Sequence, residues 1–438
     1  MRKDSFLEKQ FKLSEYGTNV KTEIIAGITT FATMAYVLAT IPSMMSTAGF
    51  EKGQVLTAMI LMIIATSVAM ALYTNRPFVL APGLGSVGVF AATMVAGDGI
   101  PVEIAVGVIF WSGVLFVLVS TIGLRESIVK VIPASIKISV GAGIGLFIAL
   151  LGAKGAGIIV ADAKKNVLVF GDLTQPGVIL AVIGFILLLV FEARKTRGGM
   201  IIAIIITTLI GIPMGVTKIP DSFIMMPSGI SDLAFNIDIL GALNVAYLPF
   251  LFAFFVPDFF STFGTVIGVG AEAGYLDKDG NLPGIDKCFQ VDALATTAGS
   301  LFCMPCMTTY LESAVGVEAG GRTGLTAIST SVMFALTLLI TPIALMIPTE
   351  ATAPALMLIG VKMLRSMRNI NYDDITECLP AFISITLTIF SNNVANGISA
   401  AVISYVILKL ASGKGKEVPK LMYILALILC YYFYTVAV

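Results

Sequence analysis

The chain has 438 residues, 57% of them hydrophobic and 12% charged, with 27 basic and 27 acidic side chains and no histidine. A soluble domain carries about 25% charged residues, and mean hydropathy here is +0.96, which excludes an ordinary soluble protein. Zero net charge leaves no basic field for nucleic acid. Without histidine, any proton relay must use carboxylates, hydroxyls or water.

Residues 1–23 are charged, lack an apolar signal core and are expected in the cytoplasm. Apolar runs near the roughly 20 residues of a membrane-crossing helix follow at 24–42, 54–73, 78–95, 102–123, 131–151, 176–192 and 199–216. A polar join at 217–245 leads to a second set at 246–270, 291–304, 306–320, 324–347, 351–366, 377–394 and 397–411. The hydrophobic segment 419–437 is left over, as a fifteenth crossing or an interfacial helix. Nothing alternates with period two over successive segments, which argues against a β-barrel. The expected fold is an all-α polytopic membrane protein of fourteen transmembrane helices.

Lys and Arg test the order, because short cytoplasmic loops collect them. Arg2, Lys3, Lys9, Lys12 and Lys21 place the N-terminus inside. Inner loops then hold Arg76; Arg125 and Lys130; Arg194, Lys195 and Arg197; Lys278 and Lys287; Arg322; Lys362, Arg365 and Arg368; and Lys409, Lys414, Lys416 and Lys420. Lys154, Lys164, Lys165 and Lys218 fall outside, against the trend. Seven spans per half make the second half run opposite to the first, as an inverted repeat requires.

Two Gly/Pro-broken segments sit at matching places in the halves. They are Val79-Leu80-Ala81-Pro82-Gly83-Leu84-Gly85-Ser86-Val87-Gly88, in the third span, and Cys303-Met304-Pro305-Cys306-Met307-Thr308-Thr309-Tyr310-Leu311-Glu312-Ser313, in the tenth. Pro82 and Pro305 stand 223 positions apart (305 − 82), close to half the chain. Paired interruptions of this kind mark half-helices that meet near the bilayer midplane and form a polar site. The pattern points to a secondary transporter. Cys303-x-x-Cys306 has no histidine or second pair to make it a metal or redox site, and the five scattered cysteines suggest no disulfide framework.

Ionisable groups inside spans are costly and so point to function. Glu312 lies inside the second break, where it could hold a proton or accept N–H bonds from a flat heterocycle; its bland reading is a helix cap or an ion pair with Arg322. Asp258 is deep in the eighth span after Pro257, with Ser261 and Thr262 on or beside its helical face. It either lines the site or secures a kink. Glu103, Asp292 and Glu318 lie near span ends, where a carboxylate reaches water or caps a helix. The glycines at 141, 143, 145 and from 264 to 270 read as helix-packing positions. Tyr310 is the aromatic best placed to stack on a planar ligand.

Several motifs resemble the AzgA-like purine permeases of the nucleobase–cation symporter-2 group. They are the opening Phe11 to Phe31, with Thr22-Glu23-Ile24-Ile25-Ala26-Gly27; Gly143-Ile144-Gly145-Leu146-Phe147-Ile148; Thr309-Tyr310-Leu311-Glu312-Ser313; Gly320-Gly321-Arg322-Thr323-Gly324; Ala353-Pro354-Ala355-Leu356; and Ala395-Asn396-Gly397-Ile398. The resemblance implies a core domain of residues 24–123 and 246–347 and a gate domain of 131–216 and 351–411. Substrate would lie between them, against the broken third and tenth spans and the eighth. It implies proton-coupled uptake of adenine, guanine or hypoxanthine across the cell membrane, with no cofactor or metal, by a protein that works as a homodimer. The substrate-lining set it suggests is Glu312, Ser261, Val87, Tyr310, Leu311, Thr309, Thr33 and Thr265, with Glu312 and Asp258 for proton coupling. Two positions depart from the family: its usual third-span Asn is Val87 here, and its usual eighth-span Phe-Asp-Thr is Phe260-Ser261-Thr262. Those departures keep open another planar N-heterocycle, an organic anion, or uptake without protons. A membrane enzyme is disfavoured, because the spans hold neither histidine nor a paired-aspartate metal motif.

Overall fold

A backbone in lipid has to satisfy its own N–H and C=O groups, and among the described residues the regular structure is helical apart from two short strand pairs. In the computed structural model the described residues are 6–122, 133–162, 167–196, 198–276, 282–391 and 393–437. Arg2, Lys3, Arg125, Lys130, Lys164, Lys165, Arg197 and Lys278, used above for orientation, lie outside them.

Span 1 is Val20–Ser46, two helices (Val20–Met34 and Val37–Ser46) meeting at Ala35-Tyr36. Span 2 is Lys52–Thr74. Span 3 consists of strand β1 (Leu80–Pro82), a helical turn Leu84–Gly88 and a π-helical stretch Val89–Val95. Spans 4 to 7 are Val102–Ile122, Ala134–Gly155, Pro176–Ala193 and Gly199–Gly211. In the second half, span 8 is Leu248–Glu272 and span 9 is Ile285–Ser300. Span 10 consists of strand β4 (Met307–Thr309) and the helix Ser313–Glu318. Span 11 runs from Gly324 to Leu345, and spans 12 to 14 are Thr349–Leu364, Ile375–Phe390 and Val394–Ala411. A last helix, Lys420–Ala437, follows. Two strands, β2 (Ile159–Asp162) and β3 (Val167–Phe170), form a hairpin after span 5 that the hydropathy pattern did not show.

Two boundaries move. Span 1 begins at Val20 because Asn19 caps it, accepting from the Thr22 N–H at 3.1 Å. Glu23 is therefore inside the helix and fully buried rather than in a cytoplasmic segment ending at 23. Span 9 begins at Ile285, six residues before the apolar run, directly after Gly284 in the left-handed region (φ 77°). Asp292 is then a mid-helix residue with no exposed surface, not a span-end carboxylate.

No strong residue identity links the halves, yet their packing repeats. Span 4 packs on span 9 and span 11 on span 2; span 4 packs on span 8 and span 11 on span 1. Spans 5 and 13 pair as do 12 and 6, and spans 6 and 7 as do 13 and 14. Shifting each member by seven turns one pair into the other. The β1–β4 pair and the pair of spans 5 and 12 map onto themselves. Spans 1–4 and 8–11 form one packed group, and 5–7 with 12–14 another. Spans 8 and 14, 8 and 5, and 1 and 12 meet across the seam.

The glycines divide by what they face. A Cβ on Gly360 would collide with the Gly145 carbonyl, so spans 5 and 12 touch backbone to backbone. Gly141, Gly264 and Gly268, also expected to serve packing, would meet nothing within 4 Å.

Candidate functional site

The two breaks cross as an antiparallel pair, with Leu80 opposite Thr309, Ala81 opposite Thr308 and Pro82 opposite Met307. The interrupted backbone is satisfied locally. Gly83 N–H donates to the Cys306 carbonyl and Tyr310 N–H to that of Val79, both at 2.9 Å. Val79 N–H donates to Ser313 Oγ at 3.1 Å, and Leu80 N–H to Ser67 Oγ at 3.0 Å. Cys303 (φ 54°) and Cys306 (φ 31°) take up left-handed conformations on either side of Pro305, and this turns the chain from span 9 into β4.

Two buried carboxylates fasten β4 to the helices behind it. Asp292 of span 9 accepts from Thr309 N–H at 2.9 Å, Thr309 Oγ1 at 2.8 Å and Thr262 Oγ1 of span 8 at 2.8 Å. Thr262 Oγ1 also lies 3.0 Å from Thr308 Oγ1. Asp258, 3% exposed, accepts from Thr296 Oγ1 at 2.8 Å, while its Oδ1 has no hydrogen-bond partner among the described residues. Thr262 thus stays on the buried side with Asp258, whereas Ser261 turns outward.

Beside the breaks, residues of span 8 and of the tenth-span break are exposed. Ser261, Gly264, Gly268 and Ala271 form one exposed stripe on span 8 at helical spacing, and Leu311 in the tenth-span break is 61% exposed. Glu312 is part-exposed and accepts from the Tyr36 hydroxyl of span 1 at 2.9 Å. It caps nothing with its side chain. Nor does it pair with Arg322, whose guanidinium instead donates to the carbonyls of Val317 and Gly321. Lys137 of span 5 stands 4.4 Å from the Phe260 ring, next to Ser261.

The candidate residues lie at different depths. Glu312, Leu311 and Ser261 border the open side, and Thr33 is half-buried with its hydroxyl donating to the Thr30 carbonyl at 2.8 Å. Thr309 (2%), Tyr310 (7%), Thr265 (7%) and Val87 (0%) are covered. The Tyr310 hydroxyl is committed to the Pro82 carbonyl, at 2.6 Å. Sequence reasoning missed Tyr36, hidden in an apolar run and 276 positions from its partner. It also misjudged Asp292, for which a cue existed: an aspartate one helical turn from Thr296 in a weakly apolar span reads as facing protein, not lipid.

A chain with this crossing can hold a small ligand against a carboxylate and helix ends, and its relatives agree in kind. The model of the Permease family (Xan_ur_permease) matches residues 21–400. A putative permease of Methanocaldococcus jannaschii is 42% identical over 97% of both chains. The adenine permease AdeP of Escherichia coli is 34% identical over 96% of this chain and 94% of its own. The guanine/hypoxanthine permease PbuO of Bacillus subtilis is 36% identical over 95% and 98%. Among solved structures, the transmembrane domain of the cyanobacterial bicarbonate transporter BicA superposes with a TM-score of 0.63 over 87% of this chain and 97% of that one. At 17% identity this likeness concerns the fold, a 7+7 inverted repeat.

Proposed function

Since this chain belongs to the permease family that includes the purine permeases of the nucleobase–cation symporter-2 group, we propose that it takes up a purine base with a proton across the cell membrane by alternating access. Spans 1–4 with 8–11 act as the core, spans 5–7 with 12–14 as the gate, and the base binds at their seam. The observation that carries this reading is Glu312, a carboxylate in the tenth-span break on the open side of the crossing. One carboxylate oxygen accepts an N–H of the base, and Leu311 and Ser261 border it. Uptake of one proton supports accumulation of a neutral base. A charge moved through about 100 mV is worth about 2.3 kcal/mol, roughly a fiftyfold gradient.

The test is uptake of labelled adenine, guanine and hypoxanthine by proteoliposomes with an imposed proton gradient. Accumulation should collapse when a protonophore is added. Glu312→Gln should exchange base across the membrane without concentrating it, because the amide keeps a hydrogen-bonding group but cannot cycle a proton. Accumulation by Glu312→Gln equal to wild type would move coupling to Asp258 or end the proton reading. A second reading, another planar N-heterocycle, is favoured by Ser261, which leaves one carboxylate on the open side where the family pattern has two. A binding screen that finds such a compound and no purine would establish it instead.

A further inference from the structure

We propose that Tyr36 is a positioning residue for the ligand, presetting Glu312 so that one carboxylate oxygen is held by protein and the other is presented to the base. This rests on the reading above that Glu312 meets the ligand.

Tyr36 sits where the two helices of span 1 meet, and it is 3% exposed. The turns around it are tightened: Leu38 and Ala39 N–H donate three residues back, to Ala35 and Tyr36. A short-pitch junction mid-span is a common mark of a functional position, and this one aims a phenol across the bundle at span 10. Its hydroxyl meets Glu312 Oε1 at 2.9 Å, the carboxyl also bonds its own backbone N–H, and the side chain stays part-exposed. A carboxylate on a flexible side chain, next to the exposed Leu311, would otherwise sample several rotamers. Holding one oxygen removes that freedom before the ligand arrives. The remaining phenol near the ligand, Tyr310, is already spent on the Pro82 carbonyl, where it clamps the two breaks together. The two tyrosines therefore divide the work: Tyr310 fixes the backbone and Tyr36 fixes the carboxylate.

The experiment is a double-mutant cycle on purified full-length protein, reading adenine, guanine and hypoxanthine affinity, maximal transport rate and thermal midpoint. Tyr36→Phe keeps the ring and removes only the hydroxyl. It should weaken binding about five- to tenfold, with maximal rate and midpoint within error of wild type. In a Glu312→Ala background, which removes the acceptor, the same change should cost little more, because the two groups act as one unit. Full additivity, or wild-type affinity in Tyr36→Phe beside a weakened Glu312→Ala, would overturn the positioning role alone. Wild-type affinity in Glu312→Ala would overturn both this role and the reading it rests on. A loss confined to the thermal midpoint would make Tyr36 a packing residue and reject the proposal.

Discussion

Asp292 and Asp258 are buried on neighbouring spans, but their surroundings differ. Asp292 receives three hydrogen bonds, two of them from Thr309 in β4, whereas Asp258 has a bonded and an unbonded oxygen. Asp292→Asn turns an acceptor into a donor facing other donors, which should cost about 2 kcal/mol or more. Asp258→Asn removes a half-satisfied buried carboxylate and should cost clearly less. Thermal unfolding in detergent compares them; an equal drop for both would contradict this account. The family departures make a second pair. Ser261 faces the open stripe, so Ser261→Asp should keep the thermal midpoint and change the preference among purines, by about tenfold or more if the new carboxylate meets the base. Val87 has no exposed surface, and Val87→Asn should destabilise by about 1–3 kcal/mol as its amide loses water. An unchanged purine profile in a well-folded Ser261→Asp protein would place that side chain away from the ligand. Glu312 was legible in the chain because it is the carboxylate lying inside a break. Tyr36 was not, because a contact 276 positions away leaves no local pattern.

At the scale of elements, two carboxylates cap the ends of spans. Glu23 of span 1 accepts from Arg322 N–H (2.9 Å), Thr323 N–H (3.2 Å), Thr326 N–H (3.1 Å) and Thr326 Oγ1 (2.6 Å), so it caps span 11 from another helix. Glu23→Ala would strand these donors and should cost about 3 kcal/mol. Hydrogen exchange at residues 322–326 should speed up in the variant; unchanged protection there would mean that water replaces the cap. Asp374 caps span 13, accepting from Thr376 N–H at 2.9 Å and Thr376 Oγ1 at 2.7 Å, and it pairs with Lys414 at 3.0 Å. The Thr376 bonds and Lys414 hold its carboxyl well below the usual aspartate range. A lowered folded value means that the stabilisation is complete at neutral pH. It begins to fade below about pH 4, the unfolded value, and is lost as pH falls further. The gap in thermal midpoint between wild type and Asp374→Asn should therefore shrink on acidification; a gap constant from pH 7 to pH 3 would contradict the assignment. The breaks themselves were readable from Gly, Pro and the half-chain spacing. Cross-helix capping was not, since Glu23 looks like any acidic residue in a first helical turn.

Over the whole molecule, the helix Lys420–Ala437 acquires a direction. Its 18 residues rise about 27 Å, close to the hydrocarbon thickness of about 30 Å. Met422, Ala426 and Leu429 bury one stripe as the helix packs on span 14, and it also touches Val245–Tyr247, the turn that opens span 8. Spans 8 and 14 run the same way, being six crossings apart, so that turn lies on the side opposite the 412–419 loop. The helix is thus expected to cross. A cysteine at Gly413 and an epitope following Val438 should be reached from opposite faces of sealed vesicles. Labelling of both from the same face would make the helix interfacial. Because the helix bridges spans from both packed groups, it also straps the seam along which the proposed core and gate would move.

What the sequence determined by itself was the set of properties written in composition and spacing: the membrane class, seven spans in each half, the paired breaks and the carboxylate in the second. These follow from the cost of exposing polar backbone and charge to lipid, a cost that each segment meets locally. Tertiary structure decided what depends on partners distant in the chain. Packing buried Asp292 and Glu23, turned Ser261 outward while covering Val87, and gave Glu312 to Tyr36. Those outcomes are set by which surfaces meet when the two halves fold together, and a residue's own neighbours in sequence carry no record of that.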